Sequence, residues 1–245
     1  MTRTLSLLLP LALITLSACA GSKGFDRGEM QEVMRQTVNL TQQQASAGVT
    51  EPAPTISAPF RLGLFFTHKD FPTRRAIVRA EWVSRDKDGL LRALAPLQDQ
   101  HLLSHTIVIA DSTVQLSNLT EIRKAAARYD VDVIMIVTGV GAVDRYNNWY
   151  ASLYPTIIGA YLAPGTVSDA LFLIEGSLWD VRSGVGYGTQ KAEGTATKVG
   201  PATSLEDQEV LDEAKAAALE ALGRKLPASL APAGRRAPPS PDRSR

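Results

Sequence analysis

The sequence predicts an α/β fold, with a mixed sheet of about five to seven strands and helices packed against it. The first observation is order: strand and helix patterns alternate through the first half, several strand patterns then follow one another, and a helix pattern comes last. The second is that parallel strands need long crossovers whereas consecutive strands join as antiparallel hairpins, so this order indicates a sheet of mixed direction. The third is composition: of 245 residues, 44% are hydrophobic and 21% are charged, as in ordinary globular proteins.

Short apolar or alternating runs bounded by turn residues predict the strands. The run 131–138 is the most apolar and is expected at the centre of the sheet. Gly139 and Gly141 follow it, and we expect them to form a tight turn or bulge between two strands. Residues 74–83 fit either a strand or a helix. The predicted strands are 61–67, 106–110, 131–138, 143–150, 153–163, 169–181 and 186–197.

Helical periodicity and capping residues predict four helices. The first covers 26–40, with Asp26 as its cap, and the second covers 87–100, where Pro96 is expected to kink or shorten it. The third begins at Asn118, with Glu121 three residues later in a capping-box arrangement, and runs to about residue 129. The last opens at Ser204 and ends at Pro227.

The amino terminus has the pattern of an export signal. Arg3 precedes an apolar stretch of 11 residues, 5–15, which is too short to span a bilayer. Leu16-Ser17-Ala18-Cys19 resembles the bacterial lipobox. That resemblance implies cleavage before Cys19 and acylation of this residue with diacylglycerol and a further, palmitate-type chain. Ala20, where an aspartate would favour the inner membrane, implies the periplasmic face of the outer membrane. The alternative is a plain secretory signal followed by a free thiol.

Composition shifts divide the chain into four parts. We predict a signal peptide at 1–18, a lipidated cysteine and flexible tether at 19–59, a periplasmic α/β domain at 60–226 and a disordered tail rich in Pro and Arg at 227–245. The 26 basic and 25 acidic side chains nearly cancel, so no global field favours nucleic acid as a partner.

Catalytic patterns are weak in this sequence. His101 and His105 are four residues apart, but a strand pattern begins between them, so we predict no metal site. A Gly-x-Ser-x-Gly nucleophile elbow does not occur, and Cys19 is assigned to the anchor. Asp130 and Asp132 are close enough to form a site, or to be a solvated pair at a helix end. We therefore expect neither an enzyme nor a cofactor; the alternative is a small envelope hydrolase that uses Asp130, Asp132 or a histidine.

The densest aromatic cluster is the best candidate for a partner surface. Tyr and Trp bury large areas and keep a polar group, which suits an interface. The alternative is a hairpin whose aromatics cover the edge of the core. The candidate residues are Tyr146, Asn147, Trp149, Tyr150, Tyr154 and Tyr161.

Several segments resemble the rhombotarget lipoproteins, a family of bacterial lipoproteins. They are 129–134 (Tyr-Asp-Val-Asp-Val-Ile), 156–165 (Thr-Ile-Ile-Gly-Ala-Tyr-Leu-Ala-Pro-Gly) and the strand pattern at 170–179. The element order is also similar to the α/β domain shared by the amino-terminal part of TolB, the curli-secretion lipoprotein and the outer-membrane activator of penicillin-binding proteins. These resemblances imply an assembly or regulatory part of the envelope. They do not settle function, because one fold serves many functions.

The sequence thus predicts an outer-membrane lipoprotein whose domain is a non-enzymatic binding or assembly module. Its expected partners are the membrane, through the anchor, and either an envelope protein or peptidoglycan. Besides the hydrolase, an oligomeric secretion-accessory lipoprotein is the other alternative. The sequence does not determine the oligomeric state.

Overall fold

Six strands form one mixed sheet, with helices on both faces. The computed structural model describes residues 21–42, 56–67, 77–79, 81–110 and 119–230. The strands are β1 (Phe60–Phe66), β2 (Ile77–Arg79), β3 (Leu103–Val108), β4 (Val133–Asn147), β5 (Thr166–Asp180) and β6 (Gly186–Gly200). The helices are α1 (Arg27–Gln42), α2 (Ser84–Asp99), α3 (Leu119–Arg128), α4 (Ile157–Leu162) and α5 (Asp207–Leu230), with a 3₁₀ helix at Trp149–Leu153.

The sheet combines parallel and antiparallel pairing, as the element order predicts. Its strand order is β3-β1-β4-β5-β6, and β2 also pairs with β4. β1 runs parallel to β3 and to the first part of β4, whereas β2, β5 and β6 continue the sheet in antiparallel pairs. The apolar run at 131–138 therefore lies at the centre, and the predicted α/β class is confirmed.

β4 passes straight through its two glycines, so the predicted turn or bulge at Gly139 and Gly141 is wrong. The pairing with β5 continues without a shift from Val133 to Asn147, so one strand replaces the two that were predicted. A Cβ atom at residue 139 would lie 2.6 Å from the ring of Phe172, and one at residue 141 would lie 2.5 Å from Leu211. The glycines thus make room for core side chains instead of turning the chain.

One face of the sheet packs against α2 and α5. Its core includes Phe66, Trp82 and Phe172, whose rings meet at centroid distances of 5.2 and 5.9 Å around Trp82. The two helices are joined by a buried ion pair, in which the Nζ atom of Lys215 lies 2.7 Å from a carboxylate oxygen of Asp86. Because one cation and one anion are buried together, neither charge is left uncompensated.

Two helices share the opposite face. α3 packs at the end where β4 begins, over Ile134 and Trp179. α1 packs farther along the same strands, where Met30 and Met34 are only 1% and 2% exposed. The helix predicted at 26–40 is thus confirmed in position, and it belongs to the packed unit. Residues 19–59 are therefore not a tether throughout.

The predicted strand at 153–163 is wrong, because this segment forms the end of the 3₁₀ helix and then α4. The side chain of Thr156 caps α4 by accepting a hydrogen bond from the Gly159 N–H at 2.9 Å. The β-branched and aromatic residues of this segment favour a strand, but the Thr156 cap stabilises a helix instead. The ambiguous segment 74–83 contains the short strand β2.

Both predicted boundaries of α5 are displaced, and α2 is not shortened at Pro96. α2 continues through Pro96 to Asp99, and α5 continues through Pro227 to Leu230, so neither proline ends its helix. Each proline removes one N–H donor from its helix, but it lies within the last turn, so only the final residues are affected. α5 begins at Asp207, because Ser204 belongs to a preceding turn.

Some predictions concern residues outside the described ranges. They are the signal peptide, Cys19, the capping role of Asn118 and residues 231–245 of the tail. Among the described helices, we find none with the length and apolar character needed to cross a bilayer.

Candidate functional site

The connection between β4 and β5 is a loop at one end of the sheet, held together by internal hydrogen bonds. We call residues 148–165 the β4–β5 loop. Asn148 organises its base: the backbone N–H donates to the Gly165 carbonyl at 2.9 Å and the side-chain amide to the Pro164 carbonyl at 2.8 Å. The side-chain oxygen accepts a hydrogen bond from the Tyr150 N–H at 2.9 Å. One asparagine therefore ties both ends of the loop together.

Close packing fixes the loop further. The hydroxyls of Tyr154 and Thr166 lie 2.7 Å apart. A Cβ atom at Gly165 would lie 2.6 Å from the Ala151 nitrogen, so the chain packs against itself there. Several backbone groups of the loop are thus paired within the loop or with the adjacent strand, which holds it in one conformation.

α4 exposes large apolar side chains that an ordinary surface helix would bury. Gly159 is buried within the helix, and so is Ala163, which directly follows it. Three of its large apolar residues point outward, since Ile158 and Leu162 are each 73% exposed and Tyr161 is 64% exposed. A surface helix normally turns its apolar stripe to the core, so this inversion needs an explanation from outside the domain.

The 3₁₀ helix extends the same apolar surface. Trp149 is 66% exposed and its ring lies 3.8 Å from that of Tyr150. Eight large apolar side chains are exposed among the described residues, and six of them lie in this loop. We call these six the apolar patch: Trp149, Tyr150, Leu153, Ile158, Tyr161 and Leu162. Single exposed apolar groups are unremarkable, whereas a concentration of them in one loop is a candidate interaction site.

The six residues selected from the sequence divide into two groups. Tyr146, Asn147 and Tyr154 are half-buried and hold the loop in place. Burial of the Tyr146 hydroxyl and its hydrogen bond to Asp169 raise the pKa of that tyrosine. Trp149, Tyr150 and Tyr161 are exposed and belong to the apolar patch. The three half-buried residues therefore support the loop, and the three exposed residues stay candidates for a partner surface.

Three members of the patch were missed, namely Leu153, Ile158 and Leu162. The strand predicted for 153–163 conceals the helical spacing that places Ile158, Tyr161 and Leu162 on one face. A signal was present: residues 146–168 contain no charged side chain, although 21% of the whole chain is charged. A charge-free segment this long is unusual in an exposed loop.

The amino-terminal end of the described chain is fastened close to this loop. The Asp144 carboxylate accepts hydrogen bonds from the Ser22 hydroxyl at 2.7 Å and from the N–H groups of Lys23 and Gly24 at 2.8 and 2.9 Å. Desolvation acts to raise the pKa of Asp144, but these hydrogen bonds outweigh it, so the pKa lies below its ordinary value. Residues 22–24 are therefore held beside β4 just before the β4–β5 loop begins.

A cavity of about 730 Å³ lies at the opposite end of the sheet, where β1, β4 and β6 begin. Asp130 and Asp132 line it together, but Arg61 binds both carboxylates. The guanidinium donates to Asp132 at 2.9 and 3.1 Å. Hydrogen bonding to Arg61 holds the pKa of Asp132 below its ordinary value, so this carboxylate stays ionised.

The described residues of this cavity do not form a hydrolytic arrangement. The Ser183 hydroxyl donates to the Asp180 carboxylate at 2.8 Å, so its partner is an acid and not a histidine base. His101 lies in a turn and His105 on β3; both are exposed, and neither lines the cavity. Within the described ranges no three His, Cys, Asp or Glu side chains are grouped to hold a metal ion.

Comparison with known proteins leaves the family open. No protein-family model matches the sequence, and no curated protein matches it, so the resemblance to the rhombotarget lipoproteins gains no support. Two solved structures with some similarity are PelC from Paraburkholderia phytofirmans, described as a dodecamer, and the lipoprotein GNA1162 from Neisseria meningitidis. PelC is 12% identical, with a TM-score of 0.32, over 72% of this chain and 91% of that chain. GNA1162 is 12% identical, with a TM-score of 0.26, over 62% of this chain and 90% of that chain.

Protein XCC0632 from Xanthomonas campestris, assigned to the DUF330 family, is a third such structure. It is 14% identical, with a TM-score of 0.27, over 75% of this chain and 86% of that chain. Similarities at these TM-scores are too low to assign a function to the chain.

Proposed function

We propose that this chain is a lipid-anchored protein of the bacterial outer membrane, facing the periplasm, whose α/β domain binds another envelope component and catalyses no reaction. The anchor is Cys19, acylated after removal of residues 1–18. The domain is the sheet with its helices, and residues beyond Leu230 form the tail. The lipobox pattern and the apolar patch support this proposal independently.

The apolar patch is the observation that carries the binding function. Its side chains are held outward by a loop that is hydrogen-bonded internally, so little conformational entropy is lost when a partner covers them. Aromatic anchors of this kind dominate the energy of many interfaces. The proposed site comprises this patch, with Tyr146, Asn147 and Tyr154 supporting it from below.

The clamp at Asp144 changes the expected geometry of the anchor. Because Ser22, Lys23 and Gly24 are bound to β4, residues 19–21 are all that separates the proposed lipid from the domain. A long tether would let the domain reach far into the periplasm. A clamp three residues from the lipid instead keeps this end of the sheet beside the membrane.

The hydrolase alternative finds little support in the cavity. A general acid must carry a proton at neutral pH, and the lowered pKa of Asp132 opposes this. Oligomerisation, the other alternative, stays a prediction that sedimentation of the detergent-purified chain would test.

The experiment that tests the proposal is mass spectrometry of the mature amino-terminal peptide, together with crosslinking in cells. We expect a tri-acylated peptide that begins at Cys19, recovery in the outer-membrane fraction, and loss of both in the Cys19→Ala chain. An unmodified thiol at Cys19 would refute the anchor. If neither form is crosslinked to any envelope component, the binding role is refuted and activity screens become the next step.

A further inference from the structure

We infer that the apolar patch docks into the bilayer to which the chain is anchored, so that the domain lies on the membrane through the β4–β5 loop. This inference rests on the proposed function, because it uses the anchor at Cys19. It names the occupant of the patch as the interfacial region of a lipid bilayer. Position, composition and hydrogen bonding of the loop each argue for it.

Position is the first argument. The Ser22 hydroxyl lies 2.7 Å from the Asp144 carboxylate, and Trp149 follows Asp144 by five residues. Three residues of chain span at most about 11 Å, and this is the longest reach between Ser22 and a lipid attachment at residue 19. Three residues of β4, from Asp144 to Asn147, advance about 10 Å toward the loop. The lipid attachment and the patch are therefore at the same end of the domain.

Composition is the second argument. The patch combines a tryptophan and two tyrosines with three aliphatic residues, and no charged side chain occurs from residue 146 to residue 168. Tryptophan and tyrosine favour the boundary between headgroups and hydrocarbon, where one part of the ring system is apolar and another is wet. Val199 on β6 is also exposed, and it pairs with Val167 at this end of the sheet. Charges begin again at Arg145 and Asp169, where the strands leave the loop.

Hydrogen bonding is the third argument. Lipid offers no partners to backbone polar groups, so a segment that enters it must satisfy them internally. The two short helices provide such bonds, and Asn148 and Thr156 cap them with their side chains. Asn148 also binds the carbonyls of Pro164 and Gly165. Helices of five and six residues are too short to span a membrane, so the loop is suited to shallow docking.

The chain carries its own reporter for this docking. It has three tryptophans; Trp82 and Trp179 are buried, whereas Trp149 is in the patch. The acylated mature chain, which begins at Cys19, is reconstituted into vesicles of phosphatidylethanolamine and phosphatidylglycerol, with or without brominated phosphatidylcholine. Bromine quenches only nearby indole rings, so we expect about half of the Trp149 emission to be lost in brominated vesicles. Trp149→Phe should abolish that loss.

Two further variants test whether the whole patch takes part. Ile158→Ser combined with Leu162→Ser removes two exposed side chains, so folding should be unaffected, and the quenching of Trp149 should fall several-fold. Val83→Ser is the matched control, because Val83 is 44% exposed at the start of α2 and lies outside the patch. It should leave the quenching unchanged.

The outcomes separate docking from anchoring. If Cys19 is acylated and Trp149 emission is equal in ordinary and brominated vesicles, docking is refuted and the anchor stands. If Cys19 is not acylated, the anchor is refuted. In that case docking is refuted too, unless brominated lipid still quenches the Trp149 emission of the unmodified chain. A photoreactive residue placed at position 158 distinguishes a competing occupant: crosslinking in cells to a protein or to a second copy, with none to lipid, would overturn the inference.

Discussion

Removing the buried methionines of α1 should show that this helix belongs to the domain. Met30 and Met34 are 1% and 2% exposed and pack against Val140, Ala142 and the leucines of β5. α1 is the element that follows the Asp144 clamp. Its attachment therefore decides whether the clamp, and with it the anchor, is held close to the β4–β5 loop.

The expected cost follows from burial. Full burial of a methionine side chain contributes about 2 kcal/mol, and the cavity left by truncation raises the cost of Met→Ala to about 2–5 kcal/mol. For Met30→Ala we expect about 3 kcal/mol, and for the double variant with Met34→Ala about 5 kcal/mol. The destabilisation measured for the double variant has an upper limit, because α1 will detach locally once its undocking costs less free energy than global unfolding.

Two measurements distinguish these regimes. Urea unfolding gives the free energy of unfolding, and hydrogen exchange followed by mass spectrometry reports on residues 27–42 separately from β4. We expect faster exchange in α1 with β4 still protected in the double variant. Met30→Leu keeps the volume and should cost less than about 1.5 kcal/mol. Gln31→Ala, at an exposed position of the same helix, should change stability by less than about 0.5 kcal/mol.

The packing of α1 would be refuted by a specific result. If Met30→Ala and Met34→Ala each cost less than about 0.5 kcal/mol and exchange in 27–42 is already fast in the parent chain, α1 is not held against the sheet. The position of the anchor relative to the loop would then have to be measured independently.

Three other perturbations test the core and the cavity. Lys215→Met leaves the Asp86 carboxylate buried without its cation and should destabilise the fold by about 3 kcal/mol in urea unfolding. Gly194→Ala places a Cβ atom 2.2 Å from a backbone carbonyl oxygen of α5, so it should lower thermal stability strongly, by about 3 kcal/mol. The pKa of Asp132 is lower in the folded protein than in the unfolded chain, so its carboxylate stabilises the fold at pH values above its ordinary pKa. This contribution disappears as the pH falls through the lowered pKa. Asp132→Asn should therefore flatten the acid end of a profile of urea midpoint against pH.

Matched controls accompany these variants. Arg224→Met removes an exposed ion pair with Glu220 and should cost less than about 0.5 kcal/mol, in contrast to Lys215→Met. Gly89→Ala meets no atom within 4 Å in the middle of α2 and should stabilise the protein by about 0.5–1 kcal/mol. Equal effects of the two glycine substitutions would contradict the close approach between β6 and α5. An unchanged acid profile in Asp132→Asn would contradict the role assigned to Arg61.

Strand and helix periodicity predicted most elements, because burial on one or both faces leaves a pattern in the sequence. β1, β5, β6 and the helices α1, α2, α3 and α5 are close to their predicted positions, whereas α4 lies where a strand was predicted. Prediction failed where a local signal competed with a distant one. Gly139 and Gly141 suggested a turn, but the ring of Phe172 and the side chain of Leu211 need the space within a continuous strand.

The candidate site shows the same division. The aromatic cluster was evident from composition, but composition alone did not separate Tyr146 and Tyr154, which support the loop, from Trp149 and Tyr161, which face outward. The sequence also left open whether Asp130 and Asp132 form a site or a solvated pair. Their partner Arg61 is about 70 residues away in sequence and reaches them only when β1 pairs with β4.

The sequence by itself determined the class of fold, the central strand and the proposal of an anchor at Cys19, since each depends on local pattern or composition. The tertiary structure decided that α1 packs on the sheet, that residues 22–24 are bound by Asp144, and that α4 turns Ile158, Tyr161 and Leu162 outward. These facts depend on contacts between segments far apart in the chain, as between Ser22 and Asp144. No local pattern records such a contact, because either residue alone is compatible with many neighbours.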